Sequence, residues 1–191
     1  MDSTLGSPDW HALKPHPAAP CPDIQLLRAS AVLHPQNRLH VAFELGGNMP
    51  SLHWPHLRPQ AFVDGLWQTT CFELFIGSDN SPAYLEFNFS PSQEWCAYRF
   101  EDYRSGRTEI RDIDVSRCEL RRQSDAAFLT VAFTLPASMS LDPEHARLGL
   151  TAVIESRSGQ ISYWALAHPS ERPDFHHKDG FQQRLRRGED I

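Results

Sequence analysis

From residue 24 onward the chain alternates apolar and polar side chains in short runs. Arg38–Leu45 sets Leu39, Val41, Phe43 and Leu45 on one face and His40 and Glu44 on the other. Gln68–Ile76 sets Thr70, Phe72, Leu74 and Ile76 against Cys71, Glu73 and Phe75. Tyr84–Ser90 sets Leu85, Phe87 and Phe89 against Tyr84, Glu86 and Asn88. Glu94–Phe100 sets Cys96, Tyr98 and Phe100 against Trp95 and Arg99. A period of two is the mark of a strand whose two faces meet different surroundings. Further strands are predicted at Ile24–Leu33, Ser116–Arg122, Phe128–Leu135, Leu148–Glu155, Ile161–Ala165 and Phe181–Leu185, and a short helix at Pro143–Arg147. Ser90–Gln93, Gly77–Pro82 and Arg157–Gln160 carry the turn residues that join hairpins. Roughly ten short strands without long helical stretches between them predict an all-β fold, an antiparallel β-sandwich.

Proline, at 15 of 191 residues, reinforces this reading, because each lacks an N–H donor and cuts the chain into short elements. Residues 1–22, rich in proline and alanine, read as an extended or poorly ordered lead-in, with Trp10 placed to pin it. Residues 23–187 are expected to form one sandwich domain and 188–191 a tail. The segment 46–66 carries no strand pattern, and long loops of this kind are often functional. Net charge is −6, from 18 basic and 24 acidic residues, which disfavours nucleic acid as a partner. Arg184, Arg186 and Arg187 read as a solvated basic end. No apolar run approaches the roughly 18 residues of a membrane-spanning helix, so no membrane partner is expected. Met1–Thr4 lacks the basic and apolar regions of an export signal, and the expected compartment is the cytoplasm. The four cysteines show no C-x-x-C spacing. They are expected as reduced thiols, with Cys71 and Cys96 acting as small buried hydrophobes.

Two stretches carry a family resemblance. The first is Leu66-Trp67-Gln68-Thr69-Thr70-Cys71-Phe72-Glu73-Leu74-Phe75-Ile76, continuing to Tyr84-Leu85-Glu86-Phe87-Asn88-Phe89-Ser90-Pro91. The second is Tyr163-Trp164-Ala165-Leu166, followed by Pro173-Asp174-Phe175-His176-His177-Lys178-Asp179-Gly180-Phe181. Together they resemble the DOMON-like proteins related to the family 9 carbohydrate-binding modules, over about residues 24–185. The resemblance implies an antiparallel sandwich, with sugars as ligands in some branches and haem in others. This sequence departs from the secreted modules in lacking a dense Asp/Asn cluster of the calcium-loop kind.

Trp67 and Glu73 match, by type and spacing, an aromatic before the central strand and an acid within it in sugar-binding members. Sugars offer C–H faces to an indole ring and hydroxyls to a carboxylate. Trp164 is read as a second aromatic wall, and Asn88 and Arg99 as polar anchors. Glu86 either shares a concave surface with Asn88 and Arg99 or pairs with Arg99 across strands. Glu73 and Glu86 also raise a glycosidase-type carboxylate pair. No residue is assigned as catalytic, because no nucleophile elbow, phosphate loop or metalloprotease helix is present.

No metal or cofactor is expected. His176 and His177, as neighbours in an extended segment, point apart, and His53 and His56 in a loop are a weak signal. A haem site would draw on Met49 or Met139 with a histidine, without a compelling placement. The resulting expectation is a non-catalytic binding module for a small-molecule or glycan ligand. The alternatives are a cytoplasmic enzyme and a protein–protein interaction domain. A shared pair of exposed Trp rings would mark the first, a deep pocket with His or paired carboxylates the second, and a flat apolar patch the third.

Overall fold

A computed structural model of the chain describes residues 9–188. The strands are β1 (His11–Ala12), β2 (Lys14–Pro15), β3 (Ile24–His34), β4 (Arg38–Gly47), β5 (Cys71–Ser78), β6 (Ser81–Phe89) and β7 (Trp95–Phe100). They continue with β8 (Thr108–Glu109), β9 (Asp114–Arg122), β10 (Ala126–Thr134), β11 (Ala146–Glu155), β12 (Ile161–Ala165), β13 (Gln183–Arg184) and β14 (Arg186–Arg187). One sheet runs β1-β3-β4-β10-β9. The other runs β2-β12-β11-β5-β6-β7-β8, with β13 also on β11. Strand pairing is antiparallel except for β14, which lies parallel to β3. The all-β sandwich predicted from alternation is the observed architecture.

Inward residues of the two sheets form the main core. Leu39, Val41, Phe43 and Leu45 of β4 meet Phe72, Leu74, Phe87 and Phe89 of β5 and β6. Phe43 and Phe72 approach to 5.0 Å between ring centroids, and Phe87 and Phe133 to 4.9 Å. The second sheet is also covered on its outer face. There Cys71, Phe75, Tyr84, Cys96, Tyr98 and Phe100 form a separate cluster under Phe62, Val63, Leu66, Trp67, Phe175 and Phe181. From Cys71 to Gly77 and from Tyr84 to Phe89, residues on both faces are therefore buried, glutamates included.

Several local expectations need correction. In place of a helix at Pro143–Arg147 there is a single turn at residues 143–145, in which the Asp142 carbonyl accepts from the His145 and Ala146 N–H groups, and Ala146 and Arg147 already open β11. Phe181–Leu185 is no continuous strand, since a 3₁₀ turn at Lys178–Gly180 precedes two-residue β13 and β14. The basic end is engaged. Arg184 Nη1 lies 2.6 Å from Asp79, and Arg186 in β14 lies 3.5 Å from Asp9. In the lead-in, the Arg28 guanidinium stands over the Trp10 ring at 4.8 Å, and residues 11–15 supply β1 and β2. Residues 1–8 of that segment and 189–191 of the tail lie outside the described residues.

Candidate functional site

The outer face of the second sheet brings chemistry together through strand register. Glu73 stands opposite Asn88 on β6 and Thr151 on β11, and Glu86 stands opposite Phe75 on β5 and Tyr98 on β7. Glu73 and Glu86 are thus diagonal neighbours on one face. They open into a cavity of about 330 Å³. Phe75, Tyr98, Phe100, Val153 and Tyr163 of the sheet also line it. Trp67 of the 3₁₀ turn Leu66–Gln68 forms one wall. Arg104 and Arg107 enter from the loop after β7, and Pro173, Phe175 and His176 from the segment after β12.

Glu73 is only 2% exposed. Its Oε2 accepts from the Thr151 hydroxyl at 2.9 Å. Burial, and then the neighbouring Glu86 charge, push its pKa up to about 8 against that hydrogen bond. Both effects favour the neutral acid, whose proton would sit on the oxygen that Thr151 does not hold. Glu86 accepts from Asn88 Nδ2 at 2.8 Å. Burial raises its pKa too, while Asn88, Arg107 and Arg104 pull it back. The two carboxyl groups therefore sit in different electrostatic settings.

His176 links the loops to the floor. Its Nδ1 lies 2.8 Å from the Tyr84 hydroxyl, which accepts from the Arg104 N–H at 3.1 Å. With Tyr84 donating to Nδ1, the imidazole turns its Nε2–H toward Glu86, 3.9 Å away and too far for a direct hydrogen bond. Burial, followed by the Arg104 charge, pushes the His176 pKa down to about 4, so the ring is neutral. Asp174 ties the two loops together. It accepts from the Tyr103 hydroxyl at 2.6 Å, Arg104 Nη2 at 2.9 Å and the His176 N–H at 3.1 Å. The Tyr98 hydroxyl donates to Asp64, which Arg107 approaches to 3.8 Å.

Trp67 and Glu73 both face the cavity, and Trp67 meets Tyr98 edge-on at 5.9 Å. Asn88 is fully buried beneath the cavity and reaches it through Glu86. Trp164 must be reassigned. It pairs with Ala152, belongs to the core between the sheets and donates its indole N–H to Ser162 at 3.1 Å. Its neighbour Tyr163 points the other way and meets Phe175 at 6.0 Å, and these two rings line the cavity in the place expected of Trp164. Arg99 is also displaced. It pairs with Leu85 and Thr108, lies on the other face from Glu86 and is exposed, so no Glu86–Arg99 pair forms. The guanidinium groups at the cavity are Arg104 and Arg107, which sit in a loop without periodicity and left no trace in the sequence pattern. Among the described residues no group of three His, Cys, Asp or Glu side chains is arranged to hold a metal ion. His53 instead contacts Glu155 at 3.0 Å, and Met49 is buried in the main core.

No family model and no curated protein matches the sequence. Among solved structures, the fold is similar to that of a "putative carbohydrate-binding protein" from Bacteroides uniformis ATCC 8492. The TM-score is 0.54 at 12% identity, over 91% of this chain and 84% of that one. At this identity the likeness is one of fold.

Proposed function

We propose that this chain is a carbohydrate-binding module of the DOMON-like kind and that the outer-face cavity holds one sugar ring. The observation carrying this reading is the convergence of aromatic walls with a carboxyl floor: Trp67, Tyr163 and Phe175 above Glu73 and Glu86. A sugar needs that combination, because its C–H faces stack on aromatic rings while its hydroxyls require hydrogen-bond partners. A volume of about 330 Å³ is at the small end for ligand pockets and suits a single ring rather than a long chain. The likeness in fold to a protein described as carbohydrate-binding points the same way. A glycan screen followed by calorimetry tests it. Trp67→Ala should weaken the best ligand about thirtyfold, the effect of losing roughly 2 kcal/mol at a desolvated contact. Absence of any glycan ligand for the intact protein would sink the reading.

The carboxyl pair also favours a second reading, glycoside hydrolysis. Glu73, held neutral, would be the acid, and Glu86, closer to positive charge, the base or nucleophile. Turnover of chromogenic glycosides, lost in both Glu73→Gln and Glu86→Gln, would establish it; no turnover across a panel of bound sugars would reject it.

A further inference from the structure

Neither carboxyl group of the cavity is directly bonded to a cationic side chain among the described residues, and Arg107 and Arg104 act only on Glu86 and only from a distance. Among the described residues neither forms an ion pair with lysine or arginine, and the one basic contact is His176 Nε2, 3.9 Å from Glu86. Arg104 and Arg107 line the cavity, but Arg104 is bonded to Asp174, while Arg107 lies near Asp64 and over the Tyr98 ring at 4.9 Å. One oxygen of Glu73 is held by Thr151, and the other has no hydrogen-bond partner among the described residues. The rings of Trp67, Phe75, Tyr163 and Phe175 line the same cavity.

We infer that the site selects a sugar bearing a primary ammonium group, a free amino sugar, with its nitrogen seated between Glu73 and Glu86. This rests on the carbohydrate reading above and names the class of sugar. A primary ammonium has three N–H donors and no acceptor. The free Glu73 oxygen and the Glu86 oxygen facing His176 can each take one. A positive charge between two carboxylates offsets their mutual repulsion, and aromatic faces attract a cation electrostatically.

Without ligand, a proton does part of this neutralising work on Glu73. Binding exchanges it: Glu73 carboxylic acid plus sugar ammonium gives a carboxylate–ammonium pair and one proton released to solvent. The other charged and titratable groups facing the pair are His176, Tyr84, Tyr98 and Tyr163, the guanidinium groups of Arg104 and Arg107 with their partner acids Asp174 and Asp64, and the buried thiols Cys71 and Cys96 below. The His176 pKa lies near 4, and burial pushes up the thiols and the Tyr84 and Tyr98 hydroxyls, so the carboxyl pair, with Glu73 the more strongly raised by burial and by its neighbour's charge, is what can give up a proton near neutrality.

The test uses the intact chain and matched sugar sets: glucosamine, galactosamine and mannosamine, each beside its hydroxyl parent and its N-acetyl derivative. Calorimetry is run at pH 7 in phosphate and in HEPES, neither of them a primary amine, whose different ionisation heats count protons released. At least one amine should bind ten times or more tighter than its parent and its N-acetyl form, releasing close to one proton. Glu73→Gln, checked for an intact melt, should weaken the amine by far more than its parent, bringing the two to parity. Parents or N-acetyl forms binding as well as the amines in every set, or amine binding without proton release, overturns the ammonium inference alone. No binding by any sugar in the sets overturns the inference, and silence across the wider glycan screen overturns the carbohydrate reading with it.

Discussion

Glu73 is an acid placed where its charged form is disfavoured, and this has a consequence for stability. Its folded pKa, about 8, lies above the ordinary carboxyl value. Between the two values the folded chain holds a proton that the unfolded chain releases, so stability is fullest below the unfolded pKa and falls as pH rises toward 8. Glu73→Gln removes that proton linkage. Melts of both proteins from pH 4 to 9 should show wild type losing ground to the variant as pH rises and the gap levelling off above about 8. A constant gap would mean that Glu73 titrates normally. The two tryptophans make a second contrast. Trp164 is 4% exposed in the main core, whereas Trp67 is half-buried at the cavity wall. Trp164→Ala should cost about 3–5 kcal/mol in urea unfolding through cavity formation. Trp67→Ala should cost clearly less, with its main effect on the ligand; equal losses would reassign Trp67 to structure. The sequence could not separate the two in advance. Tyr163 and Trp164 are adjacent and face opposite ways, and β12 is too short, with both faces occupied, for alternation to say which is inward.

At the scale of elements, what the sequence disclosed follows from which faces differ. β4 alternates cleanly because one side meets the core and the other is partly open, and its predicted range, Arg38–Leu45, agrees with Arg38–Gly47. Alternation sets Glu73 opposite the core-facing Phe72 and Leu74, but its burial depends on loops arriving from residues 62–67 and 173–181, a contact between distant segments that local pattern does not encode. Two-residue strands such as β13 and β14 are too short to carry a period at all. Phe181 shows how closely the roof is fitted. Its ring stacks on Phe75 at 5.7 Å and lies over Gly77 and Gly149, where an added Cβ would come within 2.9 and 2.7 Å of ring carbons. Gly149→Ala should therefore push the ring out. The expected cost is about 1–3 kcal/mol for overpacking, exceeding the gain of about 0.4–1 kcal/mol from a stiffer unfolded chain. An unchanged urea midpoint would show that Phe181 yields freely.

For the molecule as a whole, the second sheet serves as core on one side and as cavity floor on the other. The first sheet has a different problem along β3, whose eleven residues form an outer edge. That edge is covered in two short pieces by opposite ends of the described chain. β1 pairs at Arg28 and Ala29, β14 pairs at Val32 and Leu33, and the Gly188 N–H bonds the Leu33 carbonyl at 2.8 Å. An uncovered strand edge is a template for pairing with another molecule. Residues 186–188, which take no part in lining the outer-face cavity, thereby act as a guard against aggregation. Removing residues 186–191 should leave the outer-face cavity assembled while free backbone groups at Val32 and Leu33 recruit neighbouring chains. Light scattering on warming should then rise earlier for the shortened protein than for the intact one, and identical onset temperatures would show that the edge is guarded by something else.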